Sequence, residues 1–162
     1  MKPDKSPQGF YDKDIIPLLN IINKKFETTS SCSGRITLMQ GVKKGESKWI
    51  YKTHSKASAK KIYDCLQKIS PLRFISEPLI IHIKCFTHEN ADQVLKMLQS
   101  NGFKKSCIIS LKNFVIEVND TGKMETLLTK DLSYEYIKLL VNEANTRLKR
   151  TKTNIKKLEK LF

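Results

Sequence analysis

The stretch Thr28-Thr29-Ser30-Ser31-Cys32-Ser33-Gly34-Arg35 sets five hydroxyls, a thiol, a glycine and a guanidinium side by side. It lies between a segment of helical periodicity and one that alternates like a strand. It offers almost no apolar surface and many donors and acceptors that would need partners if buried, which predicts a polar loop and not core. Small hydroxyl residues ending in Gly-Arg suit an anionic or zwitterionic ligand. Backbone N–H groups and hydroxyls can close around it, and the arginine can take a carboxylate or phosphate through two parallel hydrogen bonds. The same residues also describe a hydroxyl-rich turn whose side chains satisfy their own backbone. On composition alone both readings stay open.

Upstream, Ile15, Ile16, Leu18, Leu19 and Ile22 recur at helical spacing within residues 12–25, with acids in the first turn. Pro17 is compatible only with a first turn, so the helix is expected to start near Ile16. Downstream, residues 35–40 and 48–54 read as strands joined by the basic loop Gly41-Val42-Lys43-Lys44-Gly45. Residues 58–70 suit a helix with Ile62, Leu66 and Ile69 inward, ended by Pro71. The clearest strand is 79–86, with Leu79, Ile81, Ile83 and Cys85 on one face and Ile80, His82, Lys84 and Phe86 on the other. His82 therefore points to the second side of its sheet. There it is either a hydrogen-bonded structural residue or a group whose titration range suits proton transfer. Residues 88–100 form a helix closed by Asn101-Gly102, and 107–111 with 114–118 form a hairpin turning at Lys112-Asn113. From about Ser133 to Phe162, the residues Ile137, Leu140, Val141, Ala144, Leu148, Ile155, Leu158 and Phe162 keep a helical stripe. The pattern predicts the α/β class in its mixed α+β form. One compact domain over residues 1–162 is expected, with a mixed sheet packed by helices and a long basic C-terminal helix.

Thirty Lys and Arg against sixteen Asp and Glu give a net charge of +14, which argues for a polyanionic partner, RNA or DNA ahead of a membrane. From Arg147 onward the last helix carries seven Lys and Arg, among them Lys149 and Arg150, against one Glu. That segment reads as an RNA-phosphate arm or as the solvated face of a helix packed on the body. Hydrophobic residues make up 40% of the chain, enough for a core, and no apolar run approaches the ~20 residues of a membrane span. The start, Met1-Lys2-Pro3-Asp4-Lys5, lacks the apolar heart of a signal peptide, so a cytoplasmic location is expected. The four cysteines, at 32, 65, 85 and 107, form no Cys-x-x-Cys pair; reduced thiols and no metal site are expected. Six glycines occur, none spaced for a phosphate loop or a Rossmann dinucleotide turn, and neither His-Glu-x-x-His nor a nucleophile elbow is present. Cys32 as a nucleophile ranks below a ligand-shaping role, because no base stands near it in sequence. On residues alone, the reading ends at a basic α+β protein with one polar ligand loop suited to nucleic acid.

The loop and its surroundings resemble the wybutosine-synthesising tRNA methyltransferases of class three. Their signature Ser/Thr-x-Ser-Ser-Cys-x-Gly-Arg is matched by Thr28 to Arg35 at every specified position. Asp4-Lys5-Ser6-Pro7-Gln8-Gly9-Phe10-Tyr11-Asp12 resembles the family's Asp-x-Ser-x-x-Gly-x-x-Asp lead-in. Trp49 with Thr53-His54 is similar to its tryptophan strand, and Glu77-Pro78-Leu79-Ile80-Ile81-His82 to its Glu-Pro-x-x-x-His strand. Tyr136-Ile137 and Asn142, Ala144 and Asn145 carry the likeness into the final helix.

The resemblance implies a methyltransferase that is not of the Rossmann type. Its cofactor would be S-adenosyl-L-methionine, and its substrate the tricyclic guanosine derivative beside the anticodon of tRNA(Phe), methylated at ring nitrogen N4. It also implies an active centre of Thr28, Ser30, Ser31, Cys32, Gly34 and Arg35 at the cofactor, with Asp12 and His82 as catalytic residues, Asp4 and Asp14 competing with Asp12. His82 or Asp12 would accept the proton that the ring nitrogen loses. Gly34 would allow close backbone approach, and Arg35 would hold the cofactor carboxylate or an RNA phosphate. Trp49 and Tyr51 would stack on a base, although Trp49 also suits a core, and Lys43, Lys44, Arg147, Lys149 and Arg150 would track the anticodon stem-loop. The rivals are a non-catalytic RNA-binding module, in which the loop grips phosphate, and an RNA-modifying enzyme dependent on Cys32.

Overall fold

The computed structural model describes residues 12–41 and 47–162. In chain order the elements are α1 (Ile16–Ile22), β1 (Glu27–Cys32), β2 (Arg35–Gln40), β3 (Lys48–Thr53), α2 (Ala59–Lys68) and β4 (Leu72–Glu77). There follow β5 (Ile80–Lys84), α3 (His88–Ser100), β6 (Cys107–Ser110), β7 (Val115–Asn119), β8 (Met124–Leu128) and α4 (Tyr134–Leu161). They fall into two compact units. The described residues of the first are 12–33, 78–121 and 151–162; those of the second are 34–41, 47–77 and 122–150.

In the first unit, α1 begins as the proline requires, with Pro17 in its first turn and Leu18, Leu19 and Ile22 buried. Asn23 ends the helix and turns its amide onto Thr28. Asn23 Oδ1 accepts from the Thr28 amide at 2.9 Å, and Asn23 Nδ2 donates to Thr28 Oγ1 at 2.8 Å. The sheet runs β1-β5-β7-β6, with every pairing antiparallel. Alternation sends Ile81, Ile83, Ile116 and Val118 to one face, where they form a core with α1, α3 and the α4 residues Ile155 and Leu158. Thr87 caps α3, accepting from the Asn90 amide at 3.2 Å, and Gly102 beyond the helix takes a positive φ of 93°.

The second unit holds the sheet β3-β2-β4-β8, also antiparallel throughout. Ile36, Leu38, Leu72 and Phe74 turn from it onto Ile62 and Leu66 of α2 and onto Ile137, Val141, Ala144 and Leu148 of α4. Ser58 caps α2. Asn145 clamps the chain ahead of that helix: Oδ1 accepts from the Ala57 amide at 2.8 Å and Nδ2 donates to the Ala57 carbonyl at 3.1 Å.

The stripe of α4, Ile137, Val141, Ala144, Leu148, Thr151, Ile155 and Leu158, alternates steps of four and three. Thr151 is its one polar member, and its hydroxyl donates to the buried Asp120 carboxylate at 3.3 Å, which also accepts from Asn154 Nδ2 at 2.9 Å. The segment from Arg147 is therefore a packed helix, with Lys149, Arg150, Lys156 and Lys157 on its exposed sides.

The expected α/β class without Rossmann topology is what forms, with the strands shared between two antiparallel sheets. Two expectations are corrected. The polar run is mainly a strand, β1, because edge pairing with β5 satisfies its backbone while Thr residues tolerate extended φ/ψ. Strands β4 and β8 were not expected, since Leu72–Glu77 and Met124–Leu128 lack clean alternation; Ile75 is buried on the face opposite Phe74. Among the described residues no helix is long and apolar enough to cross a membrane.

Replacing Asn145 by Ala strands the amide and carbonyl of Ala57 and is expected to lower stability by about 1–3 kcal/mol. Asn142→Ala, on the exposed side of the same helix, is expected to stay within about 0.5 kcal/mol of the parent. Urea unfolding of both variants checks the pair.

Candidate active site

Strand alternation divides the signature run. A bulge lies between Thr28 and Ser30, after which Ser30 stands opposite His82 and Cys32 opposite Ile80. Ser30, Cys32 and His82 thus share the face turned away from the core. Thr28 and Ser31 stand opposite the buried Ile83 and Ile81 on the other face. Thr28 is 5% exposed and its hydroxyl is engaged with Asn23, so it braces the strand where a ligand contact was expected. Ser31 Oγ is buried without a hydrogen-bond partner among the described residues, an uncommon state for a hydroxyl.

His82 has Glu117 as its cross-strand neighbour on β7, with Nε2 to Oε2 at 2.9 Å and both side chains about three-quarters buried. The carboxylate can only accept, so Nε2 carries the hydrogen and a neutral ring presents Nδ1 as its acceptor. Asn119 Nδ2 donates to the other Glu117 oxygen at 3.3 Å and steadies the carboxylate. Ser30, His82 and Glu117 form one row across three strands. Glu117 is a site residue that sequence reasoning misses. Its alternation with Ile116 and Val118 marks it as outward, but its pairing with His82 exists only through register.

Asp12 and Asp14 take different roles. Asp12 Oδ2 accepts from the amide of Ser33 at 2.8 Å, pinning the end of the polar run. Asp14 pairs with Lys152 Nζ at 2.8 Å, and the same ammonium donates to Ser33 Oγ at 2.6 Å. Ser33 is fully buried by these contacts. Lys152, counted in the sequence among the charges of a basic arm, is thus a brace of the signature, while Asp4 lies outside the described residues. Among the described residues, the lead-in aspartate that meets the signature's backbone is Asp12. Burial pushes the Cys85 thiol up, as befits a core residue.

In the second unit the run continues with Gly34 at a φ of 88°, a conformation that strains any residue with a Cβ. The Gly34 carbonyl accepts from His54 Nδ1 at 2.9 Å. Arg35 is ion-paired through Nε with Glu77, the Glu of the Glu-Pro strand and its register partner. Its guanidinium carbon lies 4.5 Å from the ring centroid of Trp49, and Lys52 Nζ lies 4.6 Å from the same ring. Trp49 is 41% exposed and so is not core. Tyr51 instead points inward, packed beside the core of its unit. Lys43 and Lys44 lie outside the described residues. Arg147 pairs with Glu143 at 2.7 Å and donates to the Gly122 carbonyl at 3.4 Å, whereas Lys149 and Arg150 stand exposed on α4.

Comparison with known proteins bears out the resemblance seen in the sequence. A family model described as Methyltransferase TYW3 matches residues 1–162. A relative from Thermococcus sibiricus, named tRNA(Phe) 7-((3-amino-3-carboxypropyl)-4-demethylwyosine(37)-N(4))-methyltransferase, is 36% identical, with 96% of this chain and 86% of its own covered. A relative from Pyrococcus horikoshii with the same name, numbered 1, is 35% identical over 94% of this chain and 84% of its own. The solved structure of the PH1069 protein from Pyrococcus horikoshii superposes with a TM-score of 0.84 at 34% identity, covering 96% of this chain and 87% of that one. With a full-length family match, relatives above one-third identity and a shared fold, this chain belongs to the methyltransferase TYW3 family.

Proposed function

We propose that this chain, acting as one domain in the cytoplasm, methylates ring nitrogen N4 of the tricyclic wybutosine precursor beside the anticodon of tRNA(Phe), with S-adenosyl-L-methionine as donor. The observation that carries the reading is the row Ser30, His82 and Glu117, which sets a histidine with a fixed tautomer beside the signature of a methyltransferase family.

The residues fit such a donor. A zwitterionic amino-acid group needs hydroxyls, backbone amides and a counter-charge. The signature offers Ser31 Oγ, which has no partner among the described residues, the outward Ser30 and Cys32, and next in the chain Gly34 and Arg35. Thr28 supports this run from behind through Asn23. S-adenosylmethionine, when bound, supplies a methyl group on a sulfonium sulfur, open to in-line attack by a nitrogen lone pair. The nitrogen must lose its proton to end neutral. His82 Nδ1 accepts that proton, and Glu117 stabilises the imidazolium that forms through Nε2–H. Asp12 acts by holding the Ser33 amide. Trp49, Lys43, Lys44, Arg147, Lys149 and Arg150 bind the RNA, the cations through phosphate and Trp49 through a base.

The protein is expected to add one methyl to the unmethylated tricyclic nucleoside of tRNA(Phe), read by mass spectrometry after incubation with labelled donor. Folded protein that binds this tRNA yet transfers nothing would leave only an RNA-binding module. His82→Ala is expected to lower kcat by about 10²–10⁴-fold with thermal stability and tRNA affinity retained, and full activity in that variant removes His82 from the mechanism. The double variant Lys149→Ala with Arg150→Ala is expected to weaken tRNA binding and to flatten the slope of log Kd against log salt by roughly 0.7–0.9 for each phosphate that the protein ceases to neutralise. An unchanged slope excludes these two from the RNA interface.

A further inference from the structure

The face of the second unit's sheet that carries Arg35 and Trp49 also holds a groove to which the proposed function gives no role. Ile36, Leu38 and Phe74 point to α2 and α4, so their strand neighbours Arg35, Thr37, Met39 and Arg73 project from the opposite face. The register adds Trp49 opposite Met39, Lys52 opposite Thr37 and Leu127 opposite Arg73. At one end of this face lies a groove of about 490 Å³, walled by Met39, Pro71, Arg73, Glu125 and Leu127. That volume falls within the range of roughly 300–1,000 Å³ typical of small-ligand pockets.

The lining says what kind of ligand fits. Met39, Pro71 and Leu127 offer apolar, polarisable surface, and Leu127 is 58% exposed, unusual for a leucine in a strand. Arg73 is ion-paired with Glu125, and Lys123 also reaches Glu125 at 3.0 Å. A fixed donor beside a fixed acceptor at the wall of an apolar slot matches the edge of a nucleobase, which carries both. Beside the groove, Trp49 is a stacking surface with Arg35 and Lys52 close to its ring. Across the face Arg35, Lys52, Arg73 and Lys123 outnumber Glu77 and Glu125, so a polyanion is favoured over a neutral or acidic partner. Thr37, between Arg35 and Met39, is 1% exposed and its hydroxyl has no partner among the described residues. A ligand that parts the side chains above it would meet that hydrogen bond.

We propose that this groove is a nucleobase subsite for a second nucleotide of the RNA substrate, distinct from the one that is methylated. One unstacked base lies against Met39 and Leu127 with its edge on Arg73 and Glu125, and its neighbour stacks on Trp49 with its phosphate on Lys52. The inference rests on the RNA substrate named in the preceding proposal, but not on the methyl transfer.

Trp49 is the only tryptophan of the chain, so tryptophan emission, excited selectively above the tyrosine band, reports this face alone. The full chain is titrated with a fluorescein-labelled anticodon stem-loop RNA, following anisotropy and tryptophan emission together. Emission is expected to be quenched along the same isotherm as binding. Leu127→Ser, which changes no charge at an exposed position, and Leu127→Glu are both expected to weaken RNA binding by about fivefold or more with melting temperature and donor affinity unchanged. RNA that binds without altering tryptophan emission overturns the proposal. So does an effect confined to Leu127→Glu, which would mark general electrostatics. Quenching and the Leu127 effect without any methyl transfer uphold the subsite while removing the methyltransferase reading. Methyl transfer at the parent KM in Leu127→Ser removes the subsite alone.

Discussion

The register of β1 against β5 is the constraint on which the candidate site depends. One bulge between Thr28 and Ser30 decides which hydroxyls of the polar run meet His82 and which turn toward the core. Without that extra residue the strand would keep strict two-residue alternation, and a one-residue slip exchanges the faces of every side chain beyond it. Pairing β5 with β7 then sets Glu117 against His82. A carboxylate fixed at the far side of an imidazole defines the tautomer, and so defines which nitrogen is left to take a proton.

The supports of the signature come from distant parts of the chain, each through hydrogen bonds to backbone or to a short side chain. Asp12 holds the Ser33 amide, and Lys152 holds the Ser33 hydroxyl while neutralised by Asp14. Asn23 secures Thr28. Buried polar groups are tolerated only when paired, and the run meets this condition at Thr28 and Ser33 but not at Ser31. Within the run, Ser31 Oγ is the buried side-chain atom left without a partner among the described residues.

Much of the positive charge is assigned to contacts within the protein. Arg35 faces Glu77, Arg73 faces Glu125, Arg147 faces Glu143 and Lys152 faces Asp14. Such pairs order a guanidinium or an ammonium more than they stabilise the fold, since partly exposed ion pairs contribute little. An ordered guanidinium keeps donors for a further anion, which suits recognition of phosphate and base edges. The excess of Lys and Arg therefore marks a polyanionic partner without telling which cations touch it.

Local chemistry was legible in the sequence. Pro17 placed the start of α1, and the alternation of residues 79–86 turned His82 away from the core. The apolar stripe carried α4 almost to Phe162, and the order of the signature residues pointed to the methyltransferase family. These features depend on neighbours within a few positions, where steric limits and periodicity act. Tertiary structure alone decided the rest. It made a strand of the polar run, because pairing with β5 outweighs the turn propensity of serine and glycine. It joined Glu117 to His82 across 35 positions, Lys152 to Ser33 across 119 and Asn145 to Ala57 across 88. Such contacts are set by strand register and helix docking, which bring together residues that no local pattern links.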